Sequence, residues 1–257
     1  MTLINKGQVA ENFGLAALNY DKHARVQKAM ACELLEKILA TNRRYSRILE
    51  IGCGTGFLTE LLAEKFPQAA ILATDISPQM VRTAKRRLSS YDNVAYLVAD
   101  GEQLMVGGPF DLIVSSAVFQ WFESYQEPFS AYWQLLSNGG MFIFNTLGES
   151  TFCELRSALK DLGIEQDKSP FITGNELVRV LKQCGFQTPE SERQILMDYC
   201  LSARELLTGI KKIGAHDMGF SLKGGEIFKL TRHYHAKFSF LNQVYATYEV
   251  LYGQASK

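Results

Sequence analysis

The sequence lacks the cysteine patterns of disulfide-bonded and zinc-binding proteins. Its 257 residues include five cysteines, an odd number, at scattered positions and without a CxxC pair. They are Cys32, Cys53, Cys153, Cys184 and Cys200. Disulfide frameworks use even sets of cysteines, and structural zinc sites use closely spaced pairs. We therefore expect no disulfide framework, no bound metal and a reducing environment.

Long apolar runs and an excess of one charge are also missing. No uninterrupted apolar stretch approaches the ~20 residues that a membrane-spanning helix needs. The first residues, MTLINKGQVAENF, contain no apolar core of a signal peptide. Lys plus Arg and Asp plus Glu number 27 each, so the whole chain exerts no net attraction on nucleic acid or a membrane. We expect a cytoplasmic protein that meets any charged partner through a local patch.

What the sequence does contain is a regular alternation of apolar segments and helical patterns. Five short apolar segments are predicted as strands at 47–51, 69–75, 93–100, 110–117 and 141–147. Apolar residues at helical spacing predict helices at 55–66, 77–88 and 129–136. Strands that alternate with helices pair in parallel through right-handed crossovers. The pattern predicts a doubly wound α/β fold.

The segments on either side are predicted to complete the sheet and to cover it. An amphipathic helix at 21–40 is expected to lie across the top of the sheet. Later helices are predicted at 151–162, 173–184 and 202–213, with strands at 192–199 and 244–252 and no assignment for 214–242. We therefore predict a mostly parallel, seven-stranded sheet in four segments. They are a helical N-terminal lid (1–44), the core (45–199), an inserted cap (200–243) and a final edge strand (244–257).

A glycine-rich loop follows the first predicted strand, in the stretch EIGCGTG. In open α/β sheets, ligands bind beyond the carboxyl ends of the strands, and glycine lets a ligand approach the backbone closely. The spacing of Gly52, Gly54 and Gly56 is GxGxG, whereas the dinucleotide fingerprint is GxGxxG. The preceding Glu50 suits a cationic ligand better than a diphosphate. S-adenosylmethionine carries a sulfonium and an ammonium group and no phosphate, although a tight turn alone would also explain the glycines.

Two further carboxylates stand at the ends of the next two predicted strands. Asp75 follows the loop by about twenty residues, where an acidic residue meets ribose hydroxyls in nucleotide-binding sheets. Asp100 ends the third strand, where its carboxylate and the amide of Gly101 could contact adenine. Either aspartate alone could be a helix cap or a turn residue. Together with Glu50 and the glycine loop they favour a nucleoside cofactor.

At this point four stretches resemble the motifs of class I S-adenosylmethionine-dependent methyltransferases. They are EIGCGTG, ATDIS, ADGEQL and FDLIVSSAVFQW, within residues 45–150. The resemblance implies a Rossmann-like fold and methyl transfer, with adenine flanked by Ile76 or Met80 and the methionine part near Ser116 or Ala117. The full cofactor-binding set that it implies is Glu50, Gly52, Gly54, Gly56, Asp75, Ile76, Met80, Asp100, Gly101 and Ser116.

Other stretches along the chain resemble a narrower family, the malonyl-[acyl-carrier protein] O-methyltransferases of biotin synthesis. They are YDKHARVQ, VFQWF, FNTLGESTFCELRSAL and ELLTGIKKIGAH. The resemblance implies methylation of the free carboxylate of a malonyl thioester on acyl-carrier protein, or on coenzyme A. A carboxylate is ionised at pH 7, and a sulfonium is a good leaving group, so no general base is required. Catalysis then rests on alignment, for which the candidates are Tyr20, His23, Gln120 and Trp121.

Substrate and partner contacts are predicted from residue chemistry. Candidates for holding the substrate are Tyr20, Arg25, Phe119, Gln120, Trp121 and Arg156, since arginine binds carboxylates through two bonds. A solvated helix face is the alternative for both arginines. Acyl-carrier proteins are acidic, so a basic patch of Arg204, Lys211 and Lys212 is predicted to dock one. The run Lys85-Arg86-Arg87 is interpreted as a solvated helix face instead, and the pair His233 and His235 lacks a third ligand for a metal.

Other classes of function remain as alternatives. A methyltransferase for a free small acid or another metabolite would share the same core. A dinucleotide-dependent oxidoreductase is disfavoured by the GxGxG spacing and by the lack of a hydride-transfer site. A non-catalytic module is disfavoured by the intact Glu50, Asp75 and Asp100. A nucleic-acid methyltransferase is disfavoured by the neutral charge and by SSAVFQWF, which stands where an Asn-Pro-Pro-aromatic motif would be expected.

Overall fold

The computed structural model describes residues 5–164, 171–212 and 224–257. The first half contains α1 (Lys6–Ala16), α2 (Tyr20–His23), α3 (Arg25–Ala40), β1 (Arg47–Ile51), α4 (Phe57–Lys65), β2 (Ala70–Asp75), α5 (Pro78–Arg87), β3 (Val94–Val98) and β4 (Phe110–Ser116). Short 3₁₀ turns follow β3 (Gly101–Gln103) and β4 (Phe119–Trp121). The second half contains α6 (Gln126–Leu135), β5 (Leu136–Leu147), α7 (Cys153–Asp161), α8 (Gly174–Gln183), β6 (Gln187–Cys200), α9 (Ala203–Lys212), α10 (Gly224–Lys237), β7 (Ser239–Phe240) and β8 (Gln243–Ser256).

The strands form one sheet in the order β3-β2-β1-β4-β5-β8-β6, with the two-residue β7 paired to β8. All neighbours from β3 to β5 pair in parallel, and β8 pairs antiparallel with both β5 and β6. The chain runs outward from β1 to β3 and then returns to β4 on the other side of β1. A topological switch point therefore lies between β1 and β4, and the predicted doubly wound α/β fold is confirmed.

The final strand corrects one prediction about the sheet. Residues 244–257 were expected at the edge, but β8 lies between β5 and β6. Most of its side chains are buried, in line with a central position, whereas β6 is largely exposed or half-buried and forms the actual edge. Periodicity indicates that a segment is a strand, but the order of strands depends on contacts between distant segments.

The predicted helix over 21–40 is divided into two. Ala24 separates α2 from α3, and its backbone angles of −86° and 43° are not helical. The longer helix packs on one face of the sheet rather than across its top. Met30, Leu34 and Ile38, which recur at helical spacing, are fully buried there. The short α2 is left at the carboxyl ends of the strands, where it contributes to the clefts described below.

The two faces of the sheet differ in composition. The α3 face is mostly aliphatic, whereas the α6 and α8 face carries a cluster of aromatic rings. At its centre the ring of Phe119 lies 4.9 Å from that of Phe144 and 5.1 Å from that of Phe129. Edge-to-face packing of this kind stabilises a core beyond simple burial. The 3₁₀ turn that carries Phe119 is thereby fixed against the sheet.

Helix α1 lies within the segment predicted as an N-terminal lid. Its first residue is preceded by Asn5, whose side-chain oxygen accepts a hydrogen bond from the amide of Gln8 at 3.0 Å, a standard N-terminal cap. The helix packs against α5. Among the described residues, no helix has the length and apolar character needed to cross a membrane.

Candidate active site

Two adjoining clefts open at the carboxyl ends of the parallel strands. The larger, of about 660 Å³, is bordered by Asp75, Asp100 and Trp121, and we call it the large cleft. The smaller, of about 440 Å³, is bordered by Lys28 and Glu50, and we call it the small cleft. Four residues line both: Tyr20, Gly52, Gly54 and Ser116. A ligand with two chemically different halves could therefore span the clefts across the glycine loop.

The three loop glycines have three different roles. All have positive φ, but only Gly54 has open space in front of its Cα, so it alone leaves room for a ligand there. A Cβ on Gly52 would lie 2.2 Å from a methyl group of Val118. A Cβ on Gly56 would lie 2.6 Å from Leu88, and this residue lines neither cleft. The structure therefore corrects the cofactor role predicted for Gly56, which instead lets α4 pack against α5.

Asp75 lies at the end of β2 with 8% of its surface exposed. One of its carboxylate oxygens accepts a hydrogen bond from the amide of Gly54 at 2.9 Å, and the other accepts one from the amide of Ser77 at 2.8 Å. Burial raises the pKa of Asp75 to about 6, although the two amides oppose that rise. Each oxygen keeps a free lone pair for a hydroxyl donor, which fits the predicted contact with a ribose.

Glu50 points from β1 into the small cleft and is 1% exposed. Its Oε2 atom forms no hydrogen bond with any described residue. Burial raises the pKa of Glu50 to about 7, with the hydroxyl of Thr59 opposing the rise and the nearby Asp75 adding a smaller contribution to it. A buried carboxylate is costly unless a cation or a donor pairs with it, so this atom indicates a place for a positively charged group of a ligand.

Lys28 provides a positive charge at the same cleft, and sequence reasoning missed it. Its ammonium group donates to the backbone oxygen of Asp21 at 3.0 Å and lies 5.4 Å from the centre of the Phe57 ring. The small cleft thus has one anionic and one cationic side chain on its walls. That combination matches a zwitterion such as an α-amino acid. The position of Lys28 one helical turn after Ala24, in YDKHARVQK, was the sequence feature that could have indicated this role.

The remaining predicted cofactor residues line the large cleft, namely Ile76, Met80, Asp100, Gly101 and Ser116. Asp100 caps the following 3₁₀ turn by accepting a hydrogen bond from the amide of Glu102 at 3.0 Å. The aspartate is therefore held at the rim of the cleft, where the sequence placed it.

Tyr20 stands at the boundary of the two clefts. Burial raises the pKa of its phenol, with the carboxylates of Asp75 and Asp21 adding to the rise, so the group stays protonated. The ring of Phe13, from α1, lies 6.3 Å from that of Tyr20 and 5.5 Å from that of Trp121. These rings form a continuous apolar edge where a reacting group would have little contact with water.

Helix α1 closes over the large cleft, and its side chains are a second set that sequence reasoning missed. Lys6, Val9 and Phe13 line the cleft. The ammonium group of Lys6 donates to the backbone oxygen of Trp121 at 3.1 Å and pairs with the carboxylate of Glu102. The spacing of Val9 and Phe13, four residues apart, was the available signal for an apolar helix face.

Several predicted alignment and substrate residues do not reach the clefts. His23 lines neither cleft, although it shares α2 with Tyr20. Phe119 is fully buried in the aromatic cluster. Gln120 is 9% exposed; its amide nitrogen donates to the backbone oxygen of Ala117 at 2.7 Å, and its oxygen accepts from Thr146 at 3.2 Å. Of this group, only Tyr20 and Trp121 are placed as expected.

The two arginines proposed to hold the substrate carboxylate bind parts of the protein instead. Arg25 pairs with Asp198 at 2.8 Å and donates to the backbone oxygen of Tyr199, which connects α3 to β6. Arg156 donates to the backbone oxygens of Glu149 and Thr151 in the loop after β5. Neither arginine lines a cleft, so the structure corrects both assignments.

The basic clusters are also distributed differently from expectation. Arg204 and Lys212 are exposed on α9, and the side chain of Lys211 lies outside the described part of the structure. Arg87 is not a solvated surface residue, because it bridges Asp21 at 2.8 Å and Glu60 at 2.7 Å. His233 pairs with Asp161 at 2.8 Å. Across residues 5–164, 171–212 and 224–257, no three His, Cys, Asp or Glu side chains gather as metal ligands would.

Comparison with known proteins shows the family to which the chain belongs. The family model described as "Methyltransferase domain" matches residues 49–142. A malonyl-[acyl-carrier protein] O-methyltransferase of Paenibacillus sp. strain JDR-2 is 36% identical, over 92% of this chain and 93% of its own. The protein of the same name from Priestia megaterium is 38% identical, over 83% of this chain and 82% of its own.

Solved structures agree on the fold. The YcgJ protein of Bacillus subtilis superposes with a TM-score of 0.64 at 16% identity, over 87% of this chain and 97% of its own. The N-methyltransferase NodS of Bradyrhizobium japonicum, solved with S-adenosylhomocysteine, superposes with a TM-score of 0.56 at 14% identity, over 97% and 98%. At such identities the likeness concerns architecture alone.

Proposed function

The chain belongs to the family of malonyl-[acyl-carrier protein] O-methyltransferases, and on that premise we propose that it methylates the free carboxylate of a malonyl group carried on acyl-carrier protein. The cofactor is S-adenosylmethionine, as the sequence predicted. The observation that carries the proposal is the similarity over 92% of the chain, since a match of that length extends well beyond the cofactor core.

The residues of the two clefts fit the two halves of the cofactor. In this proposal the adenosine half occupies the large cleft, with its ribose hydroxyls donating to Asp75. The methionine half occupies the small cleft, with its ammonium group paired to Glu50 and its carboxylate to Lys28. The unpartnered oxygen of Glu50 supports this orientation, because an ammonium group would satisfy it.

The protein's part in the reaction is alignment and exclusion of water. When bound, the cofactor supplies an electrophilic methyl group and a sulfonium leaving group. Tyr20 lies where the clefts meet, so we assign it the positioning of the acceptor carboxylate, with Trp121 and Phe13 keeping water away. The protonated phenol of Tyr20 can donate one hydrogen bond without taking a proton. Alignment and desolvation of an already ionised nucleophile are sufficient for displacement at a methyl group.

The product would carry a methyl ester in place of the free carboxylate, and so one negative charge fewer than the substrate. Moving a bare carboxylate into an apolar channel is costly, so a methyl ester lets enzymes that handle uncharged acyl chains accept the malonyl group. This is consistent with an early step of biotin synthesis, which the family resemblance implies.

The malonyl group is proposed to reach the site on acyl-carrier protein. Acyl-carrier protein is the named substrate carrier of the relatives, and malonyl-coenzyme A is the alternative. We propose that Arg204 and Lys212, exposed on α9 close to α2, contact the acidic carrier in the cytoplasm. Reversing both charges should weaken use of the carrier-bound substrate and spare a small malonyl thioester.

The direct test is transfer of a labelled methyl group from S-adenosylmethionine to malonyl-carrier protein. Malonyl-coenzyme A, free malonate and acetyl-carrier protein serve as parallel acceptors. A Tyr20→Phe variant removes the phenolic hydroxyl while keeping the aromatic ring. We expect label on the malonyl thioesters and none on the acetyl form. Label on free malonate at an equal rate would favour the alternative of a small-acid methyltransferase. No label on any acceptor, despite cofactor binding, would contradict the proposed acceptor.

A further inference from the structure

One residue that lines the large cleft has a backbone conformation that is unfavourable for its residue type. Ala117 follows β4, lines the large cleft and has a φ of 57°. Left-handed backbone angles are disfavoured for residues with a Cβ, and they persist only where the surroundings enforce them. Contacts from neighbouring residues must therefore hold Ala117 in this conformation.

Asn145, on the neighbouring strand β5, supplies the contacts that enforce this conformation. Its side chain is completely buried. The side-chain oxygen accepts hydrogen bonds from the amide of Ala117 at 2.9 Å and from the hydroxyl of Ser116 at 3.2 Å. Its amide nitrogen donates to the backbone oxygen of Met30 in α3 at 3.0 Å. Because both ends of the carboxamide are bonded, its orientation is fixed.

A second side chain holds the other end of the same residue. The amide nitrogen of Gln120 donates to the backbone oxygen of Ala117 at 2.7 Å. The oxygen of Gln120 accepts in turn from the hydroxyl of Thr146, the residue after Asn145. The N–H and the C=O of Ala117 are thus both bonded to side chains whose positions depend on β5, and the N–H also makes a longer bond of 3.3 Å to the backbone oxygen of Asn145.

The conformation of Ala117 determines where the next residue lies. Val118 packs so closely on the glycine loop that a Cβ on Gly52 would be 2.2 Å from its methyl group. Both residues line the large cleft. A change in the backbone at Ala117 would displace Val118, and with it the wall that faces the glycine loop.

We propose that Asn145 is a positioning residue for cofactor binding, which holds Ala117 in its left-handed conformation and so sets Val118 against Gly52. The inference rests on the proposed function only in naming S-adenosyl compounds as the ligands of the cleft. It assigns to a fully buried residue, which touches neither cleft, a part in ligand affinity that is separable from its part in stability.

The test is a double-mutant cycle with S-adenosylhomocysteine as the ligand, measured by calorimetry alongside thermal unfolding. Asn145→Ala should weaken binding on the order of tenfold, because both side-chain hydrogen bonds to the loop are lost and only the longer backbone bond to the N–H of Ala117 remains. In the Ala117→Gly background the same change should cost no more than about twofold, because glycine adopts positive φ without support.

A matched control separates affinity from stability. Tyr234→Phe removes a buried hydrogen bond of 2.7 Å to the backbone oxygen of Tyr245, away from both clefts. We expect a lower melting temperature with unchanged affinity. If Asn145→Ala does not fold, Gln120→Met removes the other support, and its loss of about threefold should likewise disappear in the Ala117→Gly background.

Two results would overturn the inference. Equal losses of affinity in the Ala117 and Ala117→Gly backgrounds would mean that Asn145 supports the fold alone. Unchanged affinity in folded Asn145→Ala would mean that the wall does not depend on it. By contrast, absence of S-adenosylhomocysteine binding by the unmodified protein would contradict the cofactor assignment and both proposals together, whereas binding without methyl transfer to malonyl thioesters would contradict the acceptor alone.

Discussion

The large and the small cleft share a wall but differ in their chemistry. The large cleft offers apolar and aromatic surface, two aspartates that already accept backbone hydrogen bonds, and a covering helix. The small cleft has a buried, unpartnered carboxylate oxygen and a lysine. The first suits an uncharged nucleoside, and the second suits a zwitterion. One ligand can thus be recognised by two unlike mechanisms, and ligands that contain only one of its halves can distinguish them.

The largest effect is expected at the large cleft, from Asp75→Ala. Loss of a charged acceptor for the ribose, and of the bonds that hold Gly54 and Ser77, should weaken S-adenosylhomocysteine on the order of a hundredfold. Methylthioadenosine, which has the nucleoside but no amino acid, should lose as much. Calorimetry on both ligands would check this, and unchanged affinity for either would contradict the role of Asp75.

A substitution in the small cleft should weaken binding of only one of these two ligands. Lys28→Met keeps the length of the side chain but removes its charge, so S-adenosylhomocysteine should bind about tenfold more weakly. Methylthioadenosine should bind as before. Lys22→Met, at an exposed position of α2, is the matched control and should change neither affinity. A parallel loss for both ligands after Lys28→Met would show that the clefts do not divide the ligand as proposed.

A change of pH should distinguish the contributions of the two clefts to ligand affinity in the unmodified protein. Glu50 has a pKa raised to about 7, and a bound ammonium group favours its ionised form. The affinity for S-adenosylhomocysteine should therefore be about tenfold lower at pH 6 than at pH 8. Methylthioadenosine should respond mainly below about pH 6, where Asp75 takes up a proton. A flat profile in Glu50→Gln would confirm the assignment, and a persistent slope would refute it.

The ligand-free protein should show the reverse trend in stability. The folded pKa of Glu50 lies above its ordinary value of 4.5, so the folded state binds more protons than the unfolded state between about pH 4.5 and about pH 7. The contribution of Glu50 to the free energy of unfolding is therefore largest at low pH and falls as the pH rises through that window. The difference in melting temperature between the unmodified protein and Glu50→Gln, measured at several pH values, isolates it.

The smallest effect is expected at the covering helix. Lys6→Met removes the contacts to Trp121 and Glu102 that hold α1 over the large cleft. Partly exposed ion pairs contribute little, so dissociation of both ligands should accelerate only about threefold. Stopped-flow displacement would measure it, with Lys22→Met as the control. If only S-adenosylhomocysteine were released faster, α1 would affect the half of the ligand in the small cleft, which would contradict the prediction.

Residues within one continuous motif lie in the large cleft, as their position in the sequence led us to expect. Asp75, Asp100 and Gly54 each sit at the end of a strand or in the loop after it, and parallel strands bring such ends to one edge of the sheet. Residues whose role depends on the direction of a side chain were predicted poorly. Gln120 and Trp121 are adjacent in sequence, yet the first points into the protein and the second borders the large cleft.

Charged residues show the same difference. Arg25 and Arg156 have the chemistry to hold a carboxylate, but each is engaged by partners that the sequence could not reveal, Asp198 and two loop carbonyls. Lys28 has a less distinctive context in the sequence and nevertheless borders the small cleft. Partner choice depends on segments that are distant along the chain, so residue type alone does not decide it.

The doubly wound sheet, the glycine loop, the acidic residues around it and the family could all be predicted from the amino-acid sequence. These depend on local periodicity and on motifs of a few residues, which a single chain displays directly. Three features became visible only in the folded chain: β8 lies inside the sheet, α1 and Lys28 line the clefts, and Asn145 bonds to Ala117. Each of these is a contact between segments far apart along the chain, and such contacts are set by packing of the whole fold rather than by any one segment.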